Sequence, residues 1–462
     1  MSGSRLVDGE RMRPARGASN ADSSRSNPSR AGLVITWTLV VVSVLSWRTE
    51  AYYSGGLDAV VVAKALLSVV ALARANSAWA RATHRSSIGV RSLLVIGAYL
   101  TVTVLGGWAS SALVSSGVLA VRVAILAATV ALLVSAYRHL EVLRALCIAL
   151  VLVGLFTAAT GASSLAYGRL SGGVLPISPN QLAMMFGFPL IVLTWGMVHG
   201  QRFRFDLLVS PLLLGLIWLT GSRTGLAAVV LGLGLVLLSA RRLPTAALVG
   251  VVAAAPLAVY FLSATGFVAG YFGRGGTSNL STLSSRTIAW RAAFDAPFEF
   301  WSTIFGRGLS AKTVGVSGTY WDTQVLDSSW VSAYVQGGII GITLLAVWAL
   351  LTLAATAALP PQARSLWLPL AAFALLWSTT ASGLVDAYVL FVIMFLAAVC
   401  SEPASRAAPD DLTALSGDLP PAQTSVQTSV QASVQASVQA SAQAAAQGPA
   451  QQPGHSPARQ SA

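Results

Sequence analysis

Apolar runs long enough to cross a bilayer recur along this chain from Ala31 to Cys400, and no other feature constrains the fold as strongly. A helix needs roughly 20 apolar residues to span the hydrocarbon core. Each run must satisfy its own backbone groups there, which leaves helices as the only sensible reading. The runs place spans near 32–47, 57–73, 88–106, 117–136, 142–160, 180–198, 207–220, 224–239, 244–262, 328–351, 365–382 and 386–400. The expected fold is an all-α polytopic membrane protein with about 12 transmembrane helices and a large loop, 263–327, between the ninth and tenth. Composition agrees, since 55% hydrophobic and 10% charged residues in 462 give too little charge to cover a soluble surface of this size.

The formal net charge is +13, and all but two of the 29 basic residues are arginine. They stand mostly between apolar runs, without interleaved aromatics, which argues for membrane topology and against nucleic acid as a partner. The polar segment 1–30 carries six arginines against Asp8, Glu10 and Asp22. Alternate connections then carry Arg74, Arg81 and Arg85; Arg138 and Arg144; Arg202 and Arg204; Arg241 and Arg242; and Arg364. By the positive-inside rule this pattern puts both termini in the cytoplasm of a multi-pass cell-membrane protein, and the 263–327 loop outside. With no apolar stretch in segment 1–30, the first span is expected to act as the targeting signal. The membrane domain is 31–400. The tail 401–462 carries a tetrapeptide repeat, Thr424-Ser425-Val426-Gln427 through Ala444-Ala445-Ala446-Gln447, and is expected to be disordered. Cys147 and Cys400 fall inside spans without metal-ligand spacing, so no metal is implied.

Charges in or near the bilayer are the functional candidates. Lys64 falls in the middle of the second run, where an internal acidic partner or a polar cavity is expected. Arg122 lies a turn and a half into the fourth, where snorkelling to headgroups is the alternative to substrate binding. Arg169, Arg223, Arg274, Arg286, Arg291 and Arg307 all fall on the outer side, where positive charge is disfavoured. They suggest a polyanionic substrate, with attraction to anionic lipid as the blander reading. Arg223 has the best local argument. Gly221-Ser222-Arg223-Thr224-Gly225 opens a span behind the N-cap Ser222, so helix N–H groups and a guanidinium face the same space. That suits phosphate oxygens; anchoring of a helix end is the alternative. Pro179-Asn180 and Asp327-Ser328-Ser329 open two further spans from the same side. Asp327 is either a helix cap or a general base, and the base role requires burial to raise its pKa.

These residues also carry a resemblance. Arg169-Leu170-Ser171-Gly172 with Ser178-Pro179-Asn180-Gln181-Leu182-Ala183 is similar to the "R-x-x-G … N-P-N-x-L-A" motif of the O-antigen ligase and polymerase superfamily of bacterial integral-membrane glycosyltransferases. Ser222-Arg223-Thr224-Gly225 resembles its "S-R-T-G" signature, Arg286-x-x-x-Trp290 and Gly306-x-Gly308 its "R-x-x-x-W … G-x-G" pattern, and Gln336 to Gly341 its "E-x-G-x-x-G" helix. The resemblance runs over roughly 140–400, in order. It implies transfer of a glycan from a polyprenyl diphosphate carrier to an acceptor hydroxyl at the extracytoplasmic face, in cell-surface polysaccharide biosynthesis, with no metal and no cofactor. Its partners would be that lipid-linked donor, a glycan or lipid-linked acceptor, membrane lipid and other envelope-polysaccharide assembly proteins. Catalytic roles fall on Arg223, Arg286 and Asp327, with Arg169, Asn180, Arg291, Arg122 and Lys64 binding substrate. Tyr271, Phe272, Tyr320 and Trp321 are loop aromatics able to stack on sugar rings. Ligases of the family carry "H-N" where this chain has Asp327-Ser328, and His84, His139, His199 and His455 all fall on the cytoplasmic side or in the tail. That departure favours a polymerase-like or otherwise divergent member. The rival readings are a secondary transporter or lipid-linked-sugar flippase, kept alive by Lys64, and a non-catalytic envelope scaffold.

Overall fold

Every apolar run within the described part of the chain forms a helix. The computed structural model describes residues 29–48, 58–83, 85–200, 206–240, 281–296, 298–316 and 322–407. The expected span at 244–262, Arg202, Arg204, Arg241, Arg242, Arg274, the four loop aromatics, segment 1–28 and the repeat tail lie outside these residues. In order come α1 (Arg30–Val44), α2 (Ala59–Arg81), α3 (Arg91–Ala109), α4 (Leu113–Ala136), α5 (His139–Thr160), α6 (Pro179–Val198), α7 (Asp206–Thr220) and α8 (Arg223–Ala240). After them come α9 (Ser281–Asp295), α10 (Phe300–Phe305), an antiparallel hairpin of β1 (Thr313–Gly315) and β2 (Thr323–Val325), α11 (Ser329–Ala357), α12 (Pro361–Ser378) and α13 (Val389–Ser401). Six of these, α2 to α6 and α11, are long and apolar enough to cross a membrane, and α1, α7, α8 and α13 are shorter apolar helices.

The hydrophobic pattern explains which helices are central. On α6 every residue from Gln181 to Val192 is buried, and on α13 every residue from Val389 to Ser401 is. A helix apolar all round must be enclosed by others or by lipid. α12 is buried almost as completely and packs on α8, α11 and α13. α2 lies at the edge, burying only Ser68, Ala71, Ala75 and Ala78. Their spacing of three and four makes one stripe of small residues, which lets α2 approach α1 and α4 closely. Elsewhere large apolar side chains face outward, among them Leu66, Leu208 and Leu350 at 60%, 71% and 66% exposure. In water they would be a liability; against acyl chains they are the expected surface.

Two expectations change here. The second run, expected to end near 73, continues as helix to Arg81, because Ala71–Arg81 is rich in alanine and arginine, both strong helix formers. Arg74 and Arg81 are therefore helix residues and not part of a connection. Lys64 is the sixth residue of α2, in its second turn.

α11 is not one continuous helix. It breaks at Gly338, whose φ of 63° and ψ of −156° interrupt the hydrogen-bond ladder. The carbonyls of Val335 and Gln336 accept instead from the backbone N–H groups of Arg307 (2.8 Å) and Gly308 (2.9 Å). The Gly306-x-Gly308 motif is thus a dock for loop backbone on a broken helix, and the same contact seats α10 against α3 and α11. At the far end of the fold, the buried Glu402 carboxylate accepts from the backbone N–H groups of Arg91 (3.1 Å) and Ser92 (2.8 Å). It caps α3 in place of the missing side-chain cap at Val90.

Candidate functional site

Four separate stretches of chain bring charge to one place, and a fifth brings Asn180. After α5, a 3-10 turn (Ala162–Tyr167) ends at Gly168 and the chain doubles back, with the Leu170 N–H donating to the Leu219 carbonyl at 2.9 Å. This sets Arg169 over the C-terminus of α7. Its Nε donates to the Thr220 carbonyl at 3.0 Å, and its Nη2 to Asn180 Oδ1 at 3.3 Å. A guanidinium at a helix C-terminus satisfies a carbonyl that has no intrahelical partner and matches the negative end of the dipole. Asn180 is presented by the first turn of α6, which Ser178 caps through the Gln181 N–H at 3.2 Å.

The Gly221 to Gly225 turn has a physical reason at each position. Gly221 ends α7 with a φ of 61°, where a side chain would be strained. The Ser222 hydroxyl accepts from the Gly225 N–H at 3.1 Å and caps α8. A Cβ at Gly225 would stand 2.9 Å from both Ala183 and the Trp377 ring, so only glycine lets α8 meet α6 and α12. The turn thereby holds Arg223, exposed, at the first position of α8.

From the loop, α9 contributes Arg286, whose side chain is 17% exposed, and the residue before the α11 N-cap contributes Asp327. Arg286 Nε lies 3.6 Å from Asp327 Oδ2, an ion-pair distance too long for a hydrogen bond. Partial burial, then the charges of Arg223 and Arg286, hold the Arg169 guanidinium below its ordinary value. Protein packed around Asp327 raises its carboxyl above the usual carboxylate value, and the loose Arg286 contact opposes that shift without cancelling it. Three guanidiniums thus feel one another's fields, and the Asp327 carboxylate stands beside one of them, Arg286.

Asp327 is not the helix cap. The N-cap is Ser328, and no side chain makes a capping hydrogen bond there. Of the other expected site residues, Arg291 is exposed on α9 five residues from Arg286, and so points to another side of that helix. Arg307 stacks over Phe298 with its guanidinium 4.5 Å from the ring centre. Arg122 and Lys64 form a different group. Arg122 donates to the Ser43 carbonyl, one of the terminal carbonyls of α1, while the Trp47 indole donates to Val42 at 2.9 Å. Arg122 thus acts as a cap for α1 supplied by α4. Lys64 Nζ stands 6.0 Å from the centre of the Trp47 ring.

Sequence reasoning missed one pair. Lys312, just before β1, and Asp386, between α12 and α13, form an ion pair with both side chains 16% exposed. The signal was available: Lys312 is one of two lysines, and Asp386 is the lone acid between Asp327 and Glu402. His199 stands at the opposite end of α6 from Asn180, about 28 Å away by helical rise. There it lies 3.2 Å from the Ser365 hydroxyl and stacks on Trp195. Among the described residues no three His, Cys, Asp or Glu side chains gather as metal ligands would.

Chemically, the arrangement offers donors suited to an anion and, beside Arg286, a carboxylate able to take a proton. Guanidiniums from three elements can bind several phosphate oxygens at once. The raised pKa of Asp327 makes it a better base than an ordinary aspartate. No protein-family model matches the chain, and no curated protein matches it either.

Proposed function

We propose that this chain is a multi-pass membrane glycosyltransferase of the O-antigen ligase and polymerase type, transferring a glycan from polyprenyl diphosphate to an acceptor hydroxyl. The observation that carries the reading is the convergence of Arg169, Arg223 and Arg286 from segments far apart in sequence, with Asp327 beside Arg286. In the topology the arginine pattern favours, about 12 spans run from a cytoplasmic N-terminus to a cytoplasmic tail, and this cluster lies at the outer face. Arg223 and Arg286 neutralise the diphosphate as the glycosidic C–O bond breaks and its electron pair passes to the leaving oxygen. Arg169, oriented by Asn180 and Thr220, supports them. Asp327 takes the proton of the acceptor hydroxyl as that oxygen forms the new bond. Fixed cations aimed at charge that develops late act on the transition state more than on the ground state. A transporter would gather its charge at mid-membrane, whereas the three arginines here come together from connecting segments and helix ends.

Purified protein in nanodiscs is expected to bind undecaprenyl diphosphate, and a strain lacking the gene to accumulate short lipid-linked glycan. Full restoration of glycan length by both Arg223→Ala and Asp327→Ala would remove the basis of the proposal. The pH dependence gives a second test. The active form of Asp327 is the carboxylate, so transfer rises with pH through its folded pKa, which lies above the ordinary aspartate value. Arg286→Gln removes a cation that favours the carboxylate, so the acid limb of the pH–rate profile should move to higher pH. A limb that stays in place would dissociate Asp327 from the proton transfer.

A further inference from the structure

The ion pair between Lys312 and Asp386 lies outside the cation cluster, yet its connections lead directly to Asp327. The Lys312 carbonyl accepts from the Leu326 N–H at 3.1 Å, closing the base of the β1–β2 hairpin one residue before Asp327. The neighbouring Ala311 carbonyl accepts from Gln336 Nε2 at 3.2 Å, in the short arm of the broken α11. On the other side of Asp327, the Ser329 hydroxyl donates to the Ala381 carbonyl at 2.7 Å and accepts from the Leu384 N–H at 3.1 Å. The 381–386 connection therefore grips the chain on both sides of Asp327: through Ser329 by uncharged hydrogen bonds, and through Lys312 by a charge pair.

We infer that the Lys312–Asp386 ion pair is a positioning element that holds Asp327 in register with Arg286. Three features carry this. The pair is shielded, so little water competes with it and it cannot be exchanged freely for hydration. It ties the outer loop to the connection between two bundle helices across 74 residues of sequence. Its lysine is also the residue whose backbone fixes Leu326. The 3.6 Å separation of Arg286 and Asp327 is loose enough that no direct hydrogen bond sets it, so the carboxyl is placed by its backbone and not by its partner. Lys312 touches no reacting atom; it acts through Leu326. The consequence for transfer rests on the reading of Asp327 as the acceptor's base, whereas the structural half stands without it.

The test compares Lys312→Met, Asp386→Asn and the charge reversal Lys312→Asp with Asp386→Lys, in full-length protein in nanodiscs. Amide exchange over Thr323–Ser329 should accelerate in both single variants and return to the native rate in the reversal. Glycan transfer in the deletion strain should fall about tenfold or more in the singles, as expected for a displaced reacting group, and recover in the reversal. Affinity for undecaprenyl diphosphate should not change, because the three arginines stay in place. Unaltered exchange at Thr323–Ser329 in both single variants overturns the inference, and so does a reversal variant that folds and restores neither exchange nor transfer. If exchange responds as stated and the native protein binds no undecaprenyl diphosphate, the positioning role stands and it is the donor reading that fails.

Discussion

Arg223→Ala is expected to lower glycan transfer by roughly 100- to 1,000-fold, the usual cost of removing one preorganised charge from a developing oxyanion. The loss should exceed the loss in donor affinity, since the guanidinium matters most when charge moves onto the diphosphate. Arg223→Lys keeps the charge and loses the planar fork, so it should recover only part of the rate. Arg286→Ala is expected to be comparably severe and to combine less than additively with Arg223→Ala, because both act on Arg169 and on the same anion. The measurement is single-turnover transfer, using lipid-linked glycan extracted from the deletion strain as donor. Equal losses in affinity and rate would mean that Arg223 only binds, and a rate within twofold of native would exclude it from the site.

The second large effect is structural. Gly338→Ala should destabilise the protein by about 3 kcal/mol or more, since it combines backbone strain with an overpacked contact. With a φ of 63° and a ψ of −156°, Gly338 occupies a region that is almost exclusive to glycine. A Cβ there would lie 2.4 Å from the Ile304 carbonyl carbon and oxygen, which are backbone and cannot swing aside. Relief would require α11 to straighten, and straightening would withdraw the Val335 and Gln336 carbonyls from Arg307 and Gly308. The loop carrying Arg286 and Asp327 would lose its seat in the same event. Thermal unfolding in detergent should show a clear fall in midpoint, and an unchanged midpoint would mean that the break is not built into the fold.

The apolar runs were legible because the helices they form are apolar nearly end to end, which leaves their positions readable from hydropathy within the described residues. Ends were harder. α2 outran its apolar run because arginines that read as a connection also favour helix, and Arg74 found Gly32 and Thr36 on α1 to lie against. Within the site, the motifs at Arg169, Asn180 and Arg223 were visible because each sits at a helix end with its own local signature. The Arg286–Asp327 contact was open to suspicion only, since nothing in a single sequence specifies which loop side chain meets which helix end. Lys312 and Asp386 stood out singly by their rarity, but their pairing, like the break at Gly338, depends on contacts made in three dimensions. A glycine pair inside an apolar run reads equally well as tolerated helix or as a break.

The carboxylate of Glu402 that caps α3 has a consequence in time. The amides at Arg91 and Ser92 are synthesised 311 and 310 residues before the side chain that satisfies them. At ordinary elongation rates of 5–20 residues per second, that is a wait of roughly 15–60 s. During this interval the start of α3 depends on water, lipid headgroups or the insertion machinery for its hydrogen bonds. The first third of the bundle is therefore sealed only when the final apolar helix has been delivered, and a chain released before Glu402 would leave an identifiable open end for quality control to read.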